Sequence, residues 1–217
     1  MLERRPLRND VSAEILGRIV DGRLPSGTRI NECHLSAELG ISRTPLREAL
    51  FCLAATGAVR TEPGRGFSVP HFTLREVTEL LAVLAVVLPA AVRLGGPIDL
   101  KDQLEARNAF GRARLHIGQP ARFCEHLAGG LQILTRACPN GMLSEDCQRL
   151  IRLLLRYVHE ALGRGWDPGS TLEGLQDGLQ ALQRGEREVA AARLERVCLQ
   201  LGDDLAARFP AALAAHA

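Results

Sequence analysis

Between Ser42 and Arg47 the chain sets two hydroxyls and two guanidinium groups close together: Ser42, Arg43, Thr44 and Arg47. Hydroxyls and the free N–H groups of a helix N-terminus suit phosphate oxygens, and a guanidinium fork matches the O6 and N7 acceptors of guanine. The set does this chemistry only if it projects from the start of a helix, and the flanking residues predict one. Gly40 suits the left-handed stop of a short preceding helix. Ile41 is an apolar plug between two helices. Pro45 fits a first helical position, where its missing N–H is not needed. Because Pro45 disfavours helical angles in the residue before it, Thr44 is the expected cap.

The neighbouring segments supply the elements that would hold this helix in place. Asp10 is a candidate cap for a helix whose apolar stripe is Val11, Ile15, Leu16, Ile19 and Val20. Leu24-Pro25-Ser26-Gly27 reads as a turn, and a short helix over about 32–39 turns Leu35 and Leu39 inward. The helix carrying Arg43 and Arg47 continues through Leu46, Leu50 and Leu53 to Gly57. Residues 58–61 and 66–69 then read as two short strands around Glu62-Pro63-Gly64-Arg65, a hairpin. Helix, helix, helix and hairpin in that order predict a winged helix-turn-helix.

Pro25-Ser26-Gly27-Thr28-Arg29-Ile30-Asn31-Glu32, the stretch from Leu39 to Leu50, and Thr61-Glu62-Pro63-Gly64-Arg65-Gly66-Phe67-Ser68-Val69 resemble the N-terminal domain of GntR-family bacterial transcription regulators. The resemblance covers about residues 8–70. It implies that Arg29, Arg43, Arg47 and the wing glycine Gly66 contact DNA, with Ser42 and Thr44 helping at phosphates and Arg65 at the wing tip beside them.

The charge balance bears on the same expectation. The formal net charge is +2, and residues 1–70 hold 10 Arg against 8 acidic residues, while the rest of the chain balances at 17 against 17. So small an excess predicts a local basic patch, which a dimer would double. Met1-Leu2-Glu3-Arg4-Arg5 leads into polar residues with no apolar leader, so a cytoplasmic location is expected. The longest uncharged apolar run, Leu80 to Val92, has 13 residues and contains Pro89. That is short of the ~20 residues needed to span a bilayer, so it reads as a core helix with no membrane role. Six scattered cysteines, at 33, 52, 124, 138, 147 and 198, lack paired C-x-x-C spacing and are expected reduced and buried.

From residue 71 the texture becomes all helical. Helices are expected over about 74–93, 100–117, 121–138, 145–162, 171–184 and 186–209. Asp99, Ser144 and Ser170 are the expected caps, and Gly-Pro or Pro-Asn-Gly turns and Pro210 the stops. The fold class is therefore mainly α: an N-terminal winged helix-turn-helix over 1–70 and an all-α bundle over 71–217. This order resembles the FadR subfamily of GntR regulators, whose helical ligand domain is called FCD. The resemblance implies a homodimer, a two-fold operator of double-stranded DNA, and an effector pocket inside the bundle.

Many members of that subfamily hold a divalent metal through an Asp and a His one turn apart on the third bundle helix and two His from the last two helices. Aligned on its flanking turns, this chain places Leu127, Leu131, Leu175 and Val197 in those slots, and Leu84 and Leu88 in the polar slots of the first bundle helix. Aliphatic side chains offer a metal no lone pairs. A rival register takes Pro120-Ala121-Arg122-Phe123-Cys124 as a decayed version of the Asp-x-x-Phe-His motif, and it too lacks the third-helix ligands. Of the histidines at 34, 71, 116, 126, 159 and 216, only His116, His126 and His159 fall in the bundle, without i, i+4 spacing. No metal and no cofactor are expected. Two readings of the bundle remain: a sensor whose Leu/Val-lined cavity takes a small apolar or amphipathic effector, or a dry module for dimerisation or a protein partner. Nothing in the chain pairs a nucleophile with a base, so an enzyme is not expected.

Overall fold

The computed structural model describes residues 8–55, 57–71 and 73–208, and the chain divides into two compact units between Phe72 and Thr73. The first unit packs three helices against a small sheet. Helix α1 (Arg8–Val20) buries Val11, Ile15 and Ile19, and α3 (Arg43–Ala55) buries Leu46, Ala49, Leu50 and Leu53. These i, i+3 and i+4 spacings form one stripe on each helix, and the two helices lie against each other. Because α1 already begins at Arg8, Asp10 lies inside the helix and cannot be its cap; its side chain is outside the described residues.

Between them, α2 (Glu32–Glu38) is capped by Asn31, whose side-chain oxygen accepts from the N–H groups of Cys33 and His34, both at 3.1 Å. Gly40 follows with φ of 63°, the left-handed stop expected of it. Two corrections fall here. Helix α3 starts at Arg43, so Thr44 is a helical residue and not the cap. Proline is tolerated throughout the first turn, because none of the first four N–H groups has an intrahelical acceptor. The second concerns the sheet, which has three strands: β1 (Arg29–Ile30) joins β2 (Arg60–Glu62) and β3 (Gly66–Ser68) in the antiparallel order β1-β3-β2. Ile30 pairs with Phe67 across the ladder, and both are buried. A strand of two residues is too short for an alternating pattern to reveal.

The second unit has six helices among its described residues: α4 (Leu74–Leu94), α5 (Leu100–Leu115), α6 (Pro120–Arg136), α7 (Gly141–Gly163), α8 (Gly169–Gln183) and α9 (Arg187–Arg208). The caps differ from expectation at two of them. Asn140, not Ser144, caps α7, accepting from the Leu143 N–H at 3.1 Å, and the Ser144 hydroxyl turns to the Thr135 carbonyl. At α8 the Asp167 carboxylate accepts from the Gly169 N–H at 3.0 Å, which starts the helix before Ser170. Asp99 caps α5 as expected, bonding the Asp102 N–H at 2.7 Å. The expected stop at Pro210 lies outside the described residues.

Helix α4 runs through Pro89 for 21 residues, so by length and composition it could cross a bilayer, and the shortness of its apolar run does not decide the matter. Its inner face, including Val77, Leu81, Leu84 and Leu88, is buried, and the helix lies against α9 and α7. Where α5 meets α6, Phe110 is fully buried and its ring occupies the space that a Cβ at residue 130 would need; only glycine fits there. Glycine in a helix interior carries a propensity penalty of about 1 kcal/mol, offset here by the close approach of a large aromatic ring.

Candidate nucleic-acid interface

The start of α3, the turn into α2 and the hairpin tip enclose an open groove of about 1280 Å³. Arg43, Thr44 and Arg47 reach it from α3, Arg29 from β1, and Arg65 and Gly66 from the hairpin. Six of the seven residues singled out for DNA contact therefore share one concave face; the seventh, Ser42, is exposed just ahead of α3 and does not line the groove. The local reason is simple. Leu46, Ala49 and Leu50 bury the inner face of α3, so Arg43 and Arg47, one turn apart, are turned outward together. The β1-β3 ladder brings Arg29, distant in sequence, opposite Ser68 on the same sheet.

Other side chains line the groove that the sequence did not single out, among them Glu32, Glu48, Phe51 and Cys33. Glu32, at the first position of α2, pairs with Arg47: Nε to Oε2 is 3.1 Å. Glu48 is exposed on α3 beside Arg47. Phe51 is 55% exposed and stands edge-on to Phe67 with ring centroids 5.0 Å apart, an apolar surface of the kind that meets a thymine methyl. Cys33 is exposed and accepts a contact from the Arg43 guanidinium, and Cys52 is only half-buried, so the expectation that all cysteines are buried fails at these two positions. Cys124, Cys138, Cys147 and Cys198 are buried. An exposed Phe on an amphipathic helix was the one available signal; Glu32 had none, because its neighbours come from other elements.

The bundle contrasts with this groove. Leu84, Leu88, Leu127, Leu131, Leu175 and Val197, the residues that the sequence suggested for an effector pocket, are all buried. Val197 fills the space that a Cβ at Gly174 would take, so α8 and α9 meet tightly at that point. A depression of about 480 Å³ lies between α5 and α6 instead, lined by residues including Lys101, Leu104, Arg112 and His126. His116, at the end of α5, and His126 on α6 bring their rings to 5.1 Å, a pairing that sequence spacing could not show. Burial lowers the His126 pKa, against the opposing pull of Glu125. Among the described residues no three His, Cys, Asp or Glu side chains group so as to hold a metal ion. Deeper in the bundle, Arg156 is buried; its guanidinium lies over the Tyr157 ring and donates to the Tyr157 oxygen at 3.0 Å, and Tyr157 donates to Glu76 at 3.2 Å.

Comparison with known proteins agrees with the geometry of the groove. The gntR family of bacterial regulatory proteins matches residues 7–69. The gluconate operon transcriptional repressor of Bacillus licheniformis is 39% identical over 77 residues, 36% of this chain and 31% of the relative. The HTH-type transcriptional regulator McbR of Escherichia coli is 36% identical over 99 residues, 43% of this chain and 44% of the relative. The chain matches less than half the length of these curated relatives. The structure of Escherichia coli McbR/YncC superimposes with a TM-score of 0.82 at 20% identity, covering 95% of this chain and 100% of the other, so the two share a fold throughout. The likeness to the gntR family of bacterial regulatory proteins thus falls on residues 7–69, the stretch that forms the groove, and over the rest of the chain the likeness is one of fold.

Proposed function

We propose that the chain is a cytoplasmic DNA-binding transcription regulator of the FadR type, with residues 1–70 reading DNA and residues 71–217 serving as an FCD-like dimerisation domain. The observation that carries the reading is the shared groove of Arg29, Arg43, Thr44, Arg47 and Arg65 on a gntR-family helix-turn-helix. In it the α3 N-terminus and Thr44, with Ser42 beside the groove, would take phosphate. Arg43 and Arg47 would fork onto guanine edges, and the wing would follow the backbone. The protein's work is then occupancy of a site, not chemistry. The names of relatives, the gluconate operon repressor among them, support repression as the outcome of that occupancy.

A two-fold operator needs a second copy of the chain, and α4 offers it a surface. Ala82, Val83 and Val86 form one outward stripe; Val83 is 48% and Val86 68% exposed. A charge placed on that stripe would be buried and unpaired on association. Light scattering of the full chain at tens of micromolar should therefore give a dimer, and Val86→Glu a monomer. A monomeric wild type would refute the assembly.

For the bundle, the close contact of Val197 with Gly174 between α8 and α9 supports the dry, dimerisation-only reading over an effector cavity at that position. Native mass spectrometry of freshly purified chain tests it: a retained small apolar or amphipathic molecule would restore the sensor reading.

A further inference from the structure

We infer that Glu32 is a specificity-determining residue of the groove: it holds Arg47 by the Nε edge so that the two terminal amino groups face a base and not the nearest phosphate. The inference rests on the DNA-binding reading of the groove and goes further, because Glu32 has no place among the cationic contacts of a phosphate-binding surface.

Three observations carry it. Glu32 and Arg47 come from different helices, α2 and α3, and meet at 3.1 Å through Nε, the one guanidinium nitrogen that does not belong to the terminal fork. The carboxylate side chain is 21% exposed, against 56% for Arg47, so the anchor is set in the floor and the fork projects outward. The wing passes over the same carboxylate: a Cβ at Gly66, where φ is +85°, would sit 3.4 Å from Glu32 Oε1. Glu32 is thereby held between α2, α3 and β3.

The charges lining the groove explain why such an anchor matters. Arg29, Arg43, Arg47 and Arg65 are opposed there by Glu32, Glu48 and Glu62. Glu62 is engaged by the Ser68 hydroxyl at 2.7 Å on the wing, whereas Glu32 acts on a proposed base-reading arginine. A carboxylate on a DNA-facing surface weakens attraction to every phosphate, whatever the sequence. It also makes a phosphate a poor alternative partner for Arg47, whose charge is already partly balanced, while leaving the bidentate geometry to guanine intact. General affinity falls and discrimination rises.

The test uses the full chain and a randomised duplex DNA pool. Sequencing of retained duplexes compares the wild type with Glu32→Gln, Arg47→Ala and the double variant, and anisotropy titrations of one selected and one unselected duplex are run over a salt series. Glu32→Gln keeps the shape and removes the charge. Its expected effects are a roughly tenfold loss of discrimination at the base pair that Arg47→Ala also relaxes, tighter binding of the unselected duplex, and a salt dependence steeper by about one phosphate contact per subunit, with an unchanged melting temperature. In the double variant the Glu32 change should add nothing to the loss at that base pair. An unchanged motif and salt slope in Glu32→Gln, or a uniform loss of binding together with a lower melting temperature, overturns the inference and leaves the DNA-binding reading standing. If the wild type enriches no motif, or Arg43→Ala and Arg47→Ala both bind as the wild type does, the reading of the groove fails and the inference fails with it.

Discussion

Arg47 and Arg156 show how differently the two regions of this molecule use the same side chain. Arg47 stands in an open groove, more than half exposed, tethered at one edge to Glu32. Arg156 is buried in the bundle, its guanidinium 4.8 Å from the centre of the Tyr157 ring, and one of its terminal nitrogens donates to the phenol oxygen. The winged-helix unit keeps its polar groups at the surface of a small core, where a ligand can reach them. The bundle buries aliphatic side chains in its interior, and it closes its helix contacts with Gly130 under Phe110 and Gly174 under Val197. A region that recognises a partner leaves geometry open; a region that holds a shape fills it.

Four experiments put this contrast at risk. The largest effect belongs to the bundle core. Phe110→Ala should destabilise that unit by about 3–5 kcal/mol in denaturant unfolding. Gly130→Ala alone should destabilise it by about 1–3 kcal/mol, because the added methyl meets the ring. In the Phe110→Ala background the same methyl should be neutral or stabilising. Additive losses would mean that the glycine is there for another reason. The single Trp, Trp166, is buried in the bundle, so its fluorescence follows that unit alone.

The next effect is on alkaline stability. Burial pushes the thiols of Cys124 and Cys198 up to about 12 from an ordinary 9.0, and the phenol of Tyr157 up to about 12 from 10.0. The folded bundle therefore keeps protons that the unfolded chain releases. Its stability is fully present below about pH 9 and is lost as pH rises toward 12, on the order of a few kcal/mol at about 1.4 kcal/mol per pKa unit. Trp166 unfolding curves at pH 8 and pH 11 check the sign. Equal midpoints would show that these groups are solvated.

In the groove the effects are smaller and leave folding alone. Arg43→Ala and Arg47→Ala should each weaken binding to a selected duplex by about 1–3 kcal/mol at fixed salt, with unchanged melting of the chain. The smallest effect is an expected zero. Incubation with EDTA should leave the bundle's melting temperature where it was, since the buried Leu127, Leu131, Leu175 and Val197 offer a metal no lone pairs. Near-stoichiometric zinc, nickel or manganese in untagged protein would point instead to the His116–His126 pair.

Features that depend on near neighbours along the chain were legible in the residues alone. The stripe Leu46, Leu50, Leu53 and the Gly40 stop specify a helix with Arg43 and Arg47 on its outer side, since helical periodicity alone decides which side chains share a face. Glycine and proline punctuation likewise placed the six bundle helices to within a few residues. Only the tertiary structure decided the rest. Strand β1 exists because β3 offers it a ladder, not because two residues carry a pattern. Thr44 lost its cap role because α3 begins one residue earlier, at Arg43, and proline fits any position of the first turn. Glu32 meets Arg47, His116 meets His126, and Phe110 meets Gly130 across separate elements. Those pairings depend on how helices cross and strands align, which is set by the packing of whole faces, and the spacing of residues along one chain segment carries no record of it.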